Sequence, residues 1–291
     1  MQNNTFALLK KTLTPAILSL ITILFYLPTL WYNFIFDDFP TITKNIHIIK
    51  KGNMLNQLFS NNRWISRTIN KILYHFFQAT PFFYRIITLS IHIISGILIF
   101  FFLLYILNNL KKQNFLKNNA YLISTLTSGL FLLHPVQTQT VPYITQMQLE
   151  GSVVLFTFAI LLLFTYATNV KNLFLKISLY STAYFLTFLA AGTKEIIVVL
   201  PILIALVDWF LIAQGDWRKF VKRIPIHVLF FAVLFGSIIN LNWHPTDYIP
   251  TAKTAITNNR GNILTESPKE KITPVPFFIS QFQVMVHYIT M

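Results

Sequence analysis

No residue between positions 15 and 36 is charged, and a run of that length can cross the roughly 30 Å hydrocarbon core of a bilayer as a helix, which takes about 20 residues. Comparable apolar runs follow at 86–110, 119–134, 151–170, 177–193, 196–213 and 224–243. Only 196–213 holds a charge, Asp208 near its end. A soluble fold would have to hide all of these at once. It would then be left with 11% charged residues to solvate its surface, against about a quarter in soluble domains. Hydrophobic residues make up 54% of the chain and the mean hydropathy is +0.58. The expected class is therefore an all-α integral membrane protein of seven to eight transmembrane helices, built as a single polytopic domain over residues 1–291. The last apolar segment, 277–291, reaches only about 22 Å at 1.5 Å per residue, so the chain is expected to be the N-terminal part of a longer membrane domain.

Positive charges give an expected orientation. With the N-terminus inside, the inner segments hold Lys10 and Lys11, then Lys111, Lys112 and Lys117, then Lys171 and Lys176, then Arg218, Lys219, Lys222 and Arg223. The short outer turns hold only Glu150 and the pair Lys194-Glu195, as the positive-inside rule requires. No small-x-small cleavage site follows the first run, which is expected to stay as an anchor. Two outer loops are long, 37–81 and 244–276. In the first, Trp64, Ile65, Ile69, Ile72, Leu73 and Phe76 recur at near-helical spacing, which predicts one or two amphipathic helices lying on the outer leaflet. The net charge of +14 fits cationic loops at an anionic leaflet or around an anionic lipid substrate, and no nucleic-acid partner is expected. The absence of cysteine excludes disulfides, thiolate metal sites and cysteine nucleophiles.

The chain has nine carboxylates, and their places are informative. Asp37 and Asp38 directly follow the first span. Two adjacent acids at a membrane boundary suffer desolvation and mutual repulsion. They read either as a catalytic base with an orienting partner or as a solvated pair that ends a helix. Glu150 and Glu195 each begin a span on the outer side, where the helix dipole alone would favour them. Together the four acids could ring one outer cavity for a polar substrate. In the first loop Lys44, Lys50, Lys51, Arg63, Arg67 and Lys71 sit among aromatic and Ile residues. They could hold a phosphate headgroup or answer anionic lipid generally. His134, before Pro135, reads more readily as a capping residue than as a ligand. The histidines show no metal-ligand spacing. A glycine-rich phosphate loop, a dinucleotide fingerprint and a nucleophile elbow are all lacking.

Four motifs in order carry a family resemblance. Phe34-Ile35-Phe36-Asp37-Asp38 resembles the two-aspartate motif opening the first outer loop of the transmembrane and tetratricopeptide-repeat O-mannosyltransferases and their bacterial relatives. Tyr84-Arg85-Ile86-Ile87-Thr88-Leu89-Ser90-Ile91-His92 is similar to that family's entry to the second span. Leu132-Leu133-His134-Pro135-Val136-Gln137-Thr138 resembles its His-Pro signature, and Gly192-Thr193-Lys194-Glu195 its Ser-Lys-Glu turn. The resemblance implies a GT-C glycosyltransferase of the bacterial inner membrane with its active face in the periplasm. Its donor would be a polyprenyl-phosphate sugar and its acceptor a hydroxyl on protein or glycan. By position, Asp37 and Asp38 would include the catalytic base. His134 and the Lys194-Glu195 turn would shape the donor site; the first-loop cations Arg63 and Arg67, read from their own chemistry, would bind its phosphate, and Glu150 is a further outer-face acid. A divalent metal is admitted by this chemistry but not required by the sequence.

The chain departs from the family where Thr138-Gln139-Thr140-Val141 lacks the usual acid and Gln146-Met147-Gln148-Leu149-Glu150 lacks an arginine. The alternatives are an inactive or split fragment of such an enzyme, or a lipid-linked sugar transporter or flippase. No inverted repeat or pair of broken spans favours transport.

Overall fold

The structure is a computed structural model that describes residues 2–45, 63–111 and 113–240, with the short pieces 256–257 and 263–264. Two compact units divide the chain at Leu241 and Asn242. Of the second, the described residues form a two-residue antiparallel pairing of Ile256–Thr257 with Ile263–Leu264. The other expected structure of 244–276, the eighth segment at 277–291, and Lys50 and Lys51 lie outside the described residues.

The first unit is helical. Its main elements are α1 (Gln2–Tyr26), α2 (Trp64–Phe77), α3 (Pro81–Asn108), α4 (Ala120–Leu133), α5 (Ser152–Asn169), α6 (Leu173–Ala191), α7 (Leu200–Val207) and α8 (Ile224–Asn240). With short flanking turns, five stretches are long and apolar enough to cross a membrane: Thr12–Trp31, Pro81–Asn108, Ile144–Asn169, Leu173–Ala191 and Glu195–Ile212. This architecture is compatible with a multi-pass membrane protein. The expected third span is a helix of 14 residues, about 21 Å long, and α8 has 17.

Local chemistry sets the ends. Thr80 is extended and Pro81 takes the first helical position of α3, where its missing N–H costs nothing. The Asn172 side chain caps α6 by accepting from the Leu175 N–H at 3.1 Å. Pro135 stops α4, because the residue before a proline is pushed out of the helical region, and His134 is extended.

α3 is the central helix, packed against α1, α4 and α5, while α5 packs on α6 and α6 on α8. Gly96 lets α3 and α4 approach closely: a Cβ there would lie 2.5 Å from the Leu132 side chain. The Ser128 hydroxyl donates to the Gly96 carbonyl at 2.6 Å, and His92 Nε2 meets the Leu132 carbonyl at 3.0 Å. Because α3 and α5 run the length of the bundle, they define its two ends. One gathers residues 27–45, α2, the start of α3 and the segments 134–151 and 192–199. The other gathers the ends of α3 and α5 with 208–223.

Candidate functional site

At the first end a tight turn separates the two adjacent aspartates. The Asp38 N–H donates to the Ile35 carbonyl at 2.9 Å, and Asp38 Oδ2 accepts the Ile35 N–H at 3.2 Å. Between them Phe36 is left-handed (φ 43°), at a cost of about 1–2 kcal/mol for a residue with a side chain, and 80% of it is exposed. The result is opposite fates for neighbours. Asp38 is fully buried, and its Oδ1 takes the Thr145 N–H at 2.9 Å and the Thr145 hydroxyl at 2.7 Å. Asp37 is exposed, and its N–H donates to the Tyr143 hydroxyl at 3.1 Å. Burial, against the pull of the Asp37 N–H and helped by the charges of Asp37 and Asp38, raises the Tyr143 phenol above its usual range, so it is a neutral hydrogen-bonding group at physiological pH.

Arg85 locks the turn from below. It is 2% exposed, and its guanidinium donates to the carbonyls of Tyr32 (3.0 Å), Asn33 (2.5 Å) and Pro142. Its charge also lies within electrostatic reach of Asp38. One cation and one carboxylate, both inside the fold, thus tie the exit of the first span to the segment before α5.

The 192–195 turn supplies two more ion pairs. Glu195 accepts from Arg63 Nε at 3.1 Å and from Arg63 Nη2 at 3.2 Å, and Lys194 donates to Glu150. The Ile65 N–H meets the Gly192 carbonyl at 3.0 Å. These bonds dock the start of α2 on the turn. Arg67 follows one turn along α2 and is exposed. The four acids expected to share one face do reach the same end: Asp38 and Asp37 against 143–145, Glu150 against Lys194, and Glu195 against Arg63. His134 stands apart from them. It is exposed, and its Nδ1 accepts the Val136 N–H at 3.2 Å, capping the turn Pro135–Gln139. Among the described residues no group of three or more His, Asp or Glu side chains is arranged to hold a metal ion.

Nothing in the sequence marks Thr145, Tyr143 or Asn70, Gln148 stands there only in a segment that lacks an arginine, and Arg85 only beside the uncharged run 86–110 and within a motif. The face of α2 with Ser66, Asn70 and Leu73 runs along the segment 144–148. Ser66 Oγ donates to the Gln148 carbonyl at 3.3 Å, and Leu73 clusters with Ile144. Between these contacts the side-chain amides of Asn70 (0% exposed) and Gln148 (1%) are buried, and neither amide has a hydrogen-bond partner among the described residues. Unpaired buried amides destabilise by about 1–3 kcal/mol each. Asn70→Leu is therefore expected to raise the thermal midpoint of the purified protein. A fall would show that the amide is satisfied in solution.

Compared with protein-family models, curated proteins and solved structures, the chain matches none.

Proposed function

We propose that this chain is a GT-C-like glycosyltransferase of seven to eight spans in a bacterial inner membrane. On this reading the N-terminus is cytoplasmic and the acidic end faces the periplasm. There it moves a sugar from a polyprenyl-phosphate donor to a hydroxyl acceptor on protein or glycan. The observation that carries this reading is the divergence of Asp37 and Asp38. A buried, fully bonded aspartate fixes a turn whose strained tip presents a second, exposed aspartate at the end of a long apolar bundle.

In the reaction so read, the Asp37 carboxylate accepts the proton of the acceptor hydroxyl as its oxygen bonds to the anomeric carbon. The bond from that carbon to the phosphate oxygen breaks, and its electron pair leaves with the polyprenyl phosphate. Arg67 adds a cation at this end, and Arg63 and Lys194, ion-paired with Glu195 and Glu150, reach the departing phosphate on this reading by exchanging those partners as it gains negative charge. Asp38, Thr145 and Arg85 touch neither reactant and position the turn. The buried amides of Asn70 and Gln148, costly as they stand, are the kind of stability sacrifice found where function needs a group that packing does not.

Membranes from cells producing the chain are expected to transfer label from a polyprenyl-phosphate-linked radioactive hexose to a hydroxyl acceptor, consuming the donor bond. Donor that crosses the membrane with its sugar–phosphate bond intact would instead mark a flippase. Donor neither consumed nor moved would leave the chain an inactive fragment.

A further inference from the structure

The end of the bundle opposite the acidic turn contains a second site with a chemistry of its own. A cavity of about 460 Å³ opens between the end of α3, the end of α5 and the segment 211–223. That volume is within the range of about 300–1,000 Å³ typical of small-ligand sites. Lys111, Lys219 and Arg223 line it together with the amides of Asn109, Asn169 and Gln214, and the carboxylate on its wall, Asp216, is ion-paired with Lys219 at 2.5 Å. Gln214 and Gly215 both have positive φ (53° and 78°), which turns the chain sharply over the cavity. Gln214 then fastens the turn to α3: its Oε1 accepts the Lys111 N–H at 3.3 Å and its Nε2 donates to the Asn109 carbonyl at 3.4 Å.

Arg223 is held in place from behind. Asp208 is fully buried and accepts from Arg223 Nε at 2.8 and 2.9 Å, while His227 Nε2 stands 2.8 Å from its other side. A buried anion bonded this way fixes the guanidinium, so the wall of the cavity is preorganised. The ends of α3 and α5 bring partial negative charge here, and Asp208 and Asp216 add two carboxylates. Against them, this end holds Lys111, Lys117, Lys171, Lys176 and the four cations of 218–223 among the described residues. The balance of this end is positive by several charges, and three of its cations, Lys111, Lys219 and Arg223, line the cavity.

The surroundings are suited to a lipid. Trp209, Trp217 and Phe220 pack edge to face or stacked with centroids 5.5–6.0 Å apart, and Trp217 is 63% exposed, as aromatic residues are at a membrane–water boundary. Across that aromatic layer an apolar groove of about 600 Å³, walled by Ile202, Leu206, Phe210, Val228 and Phe231, offers a path for hydrocarbon. Basic pockets between membrane helices on the cytoplasmic side are sites for anionic headgroups.

We infer that this cavity binds the phosphate headgroup of an anionic phospholipid of the cytoplasmic leaflet. The inference rests on the proposed membrane orientation and is independent of the transferase reading.

The test is thermal unfolding of the purified full chain in detergent, titrated with dioleoyl phosphatidylglycerol, dioleoyl phosphatidylcholine or inorganic phosphate. Phosphatidylglycerol is expected to raise the midpoint and the other two are not. Lys111→Gln with Lys219→Gln is expected to weaken the apparent affinity by roughly tenfold to thirtyfold, the effect of two lysines near a membrane surface. Lys117→Gln with Lys176→Gln removes the same charge away from the cavity wall and is expected to leave the affinity unchanged. Four results would overturn the inference. They are equal stabilisation by phosphatidylcholine, equal stabilisation by phosphate alone, no stabilisation by any of them, and equal loss in the two double variants. The last would reduce the effect to diffuse surface charge, and lost transfer activity in any variant would not bear on it.

Discussion

Arg85→Ala is expected to destabilise the fold by roughly 3–5 kcal/mol, the cost typical of removing one member of a buried charged network. The side chain is almost wholly enclosed and donates to three carbonyls from two separate stretches of chain, 32–33 and 142. Deleting it leaves those carbonyls inside the fold and leaves the Asp38 carboxylate without its nearby cation. Arg85→Lys keeps the charge but has no planar fork to reach three acceptors, and is expected to recover only part of the loss. Thermal unfolding of purified variants provides the measurement, with exposed Arg218→Ala as a control expected to stay within about 0.5 kcal/mol. A midpoint for Arg85→Ala as high as that of the control would show that the clamp does not hold the turn.

The long apolar stretches were legible in the sequence because hydrocarbon-length runs without charge are hard to produce any other way. Their limits were less so. The helical stretch around the expected fourth span begins at Ile144 rather than 151, whereas α4 keeps the expected 119–134 to within one residue at each end and stops where Pro135 follows His134. The amphipathic character of α2 was visible in its spacing, but spacing does not tell which residues pack on the rest of the protein. Trp64 and Leu73 are buried as the pattern suggests, but Ile72 and Phe76 are exposed while polar Ser66 and Asn70 are enclosed. Apolar periodicity cannot reveal a buried amide, because the signal it uses is the absence of polar groups.

Within the site, Glu150 and Glu195 could be placed at one end from the topology alone. Which cation pairs with which acid could not be read, since the Lys194–Glu150 and Arg63–Glu195 pairs join segments 44 and 132 residues apart. Asp37 and Asp38 are chemically identical neighbours, and nothing in composition tells which turns inward. The left-handed Phe36 decides it by reversing the chain for one residue. Arg85 was read as a charge flanking a span because an uncharged run starts after it. The helix itself starts four residues earlier, at Pro81, which carries Arg85 inside.

Asp37 is where the largest effect on activity is expected. It is the exposed member of the pair, on a turn that Asp38, Thr145 and Arg85 hold rigid. Asp37→Asn preserves the shape and the backbone bond to Tyr143, removes the carboxylate charge beside the Tyr143 hydroxyl and takes away the ability to accept a proton. Loss of general-base catalysis then lowers the rate by about 10²-fold or more. Since the side chain is exposed, stability is expected to change by no more than about 0.5 kcal/mol. Asp38→Asn differs, because the amide turns an acceptor into a donor against the N–H of Ile35 or Thr145 and loosens the turn itself. The direct measurement is the initial rate of label transfer from a polyprenyl-phosphate hexose in membranes holding equal amounts of wild type and Asp37→Asn. The account predicts transfer by wild type and about one hundredth of it or less by the variant, with both proteins equally folded. Equal rates, or no transfer by wild type, would contradict it.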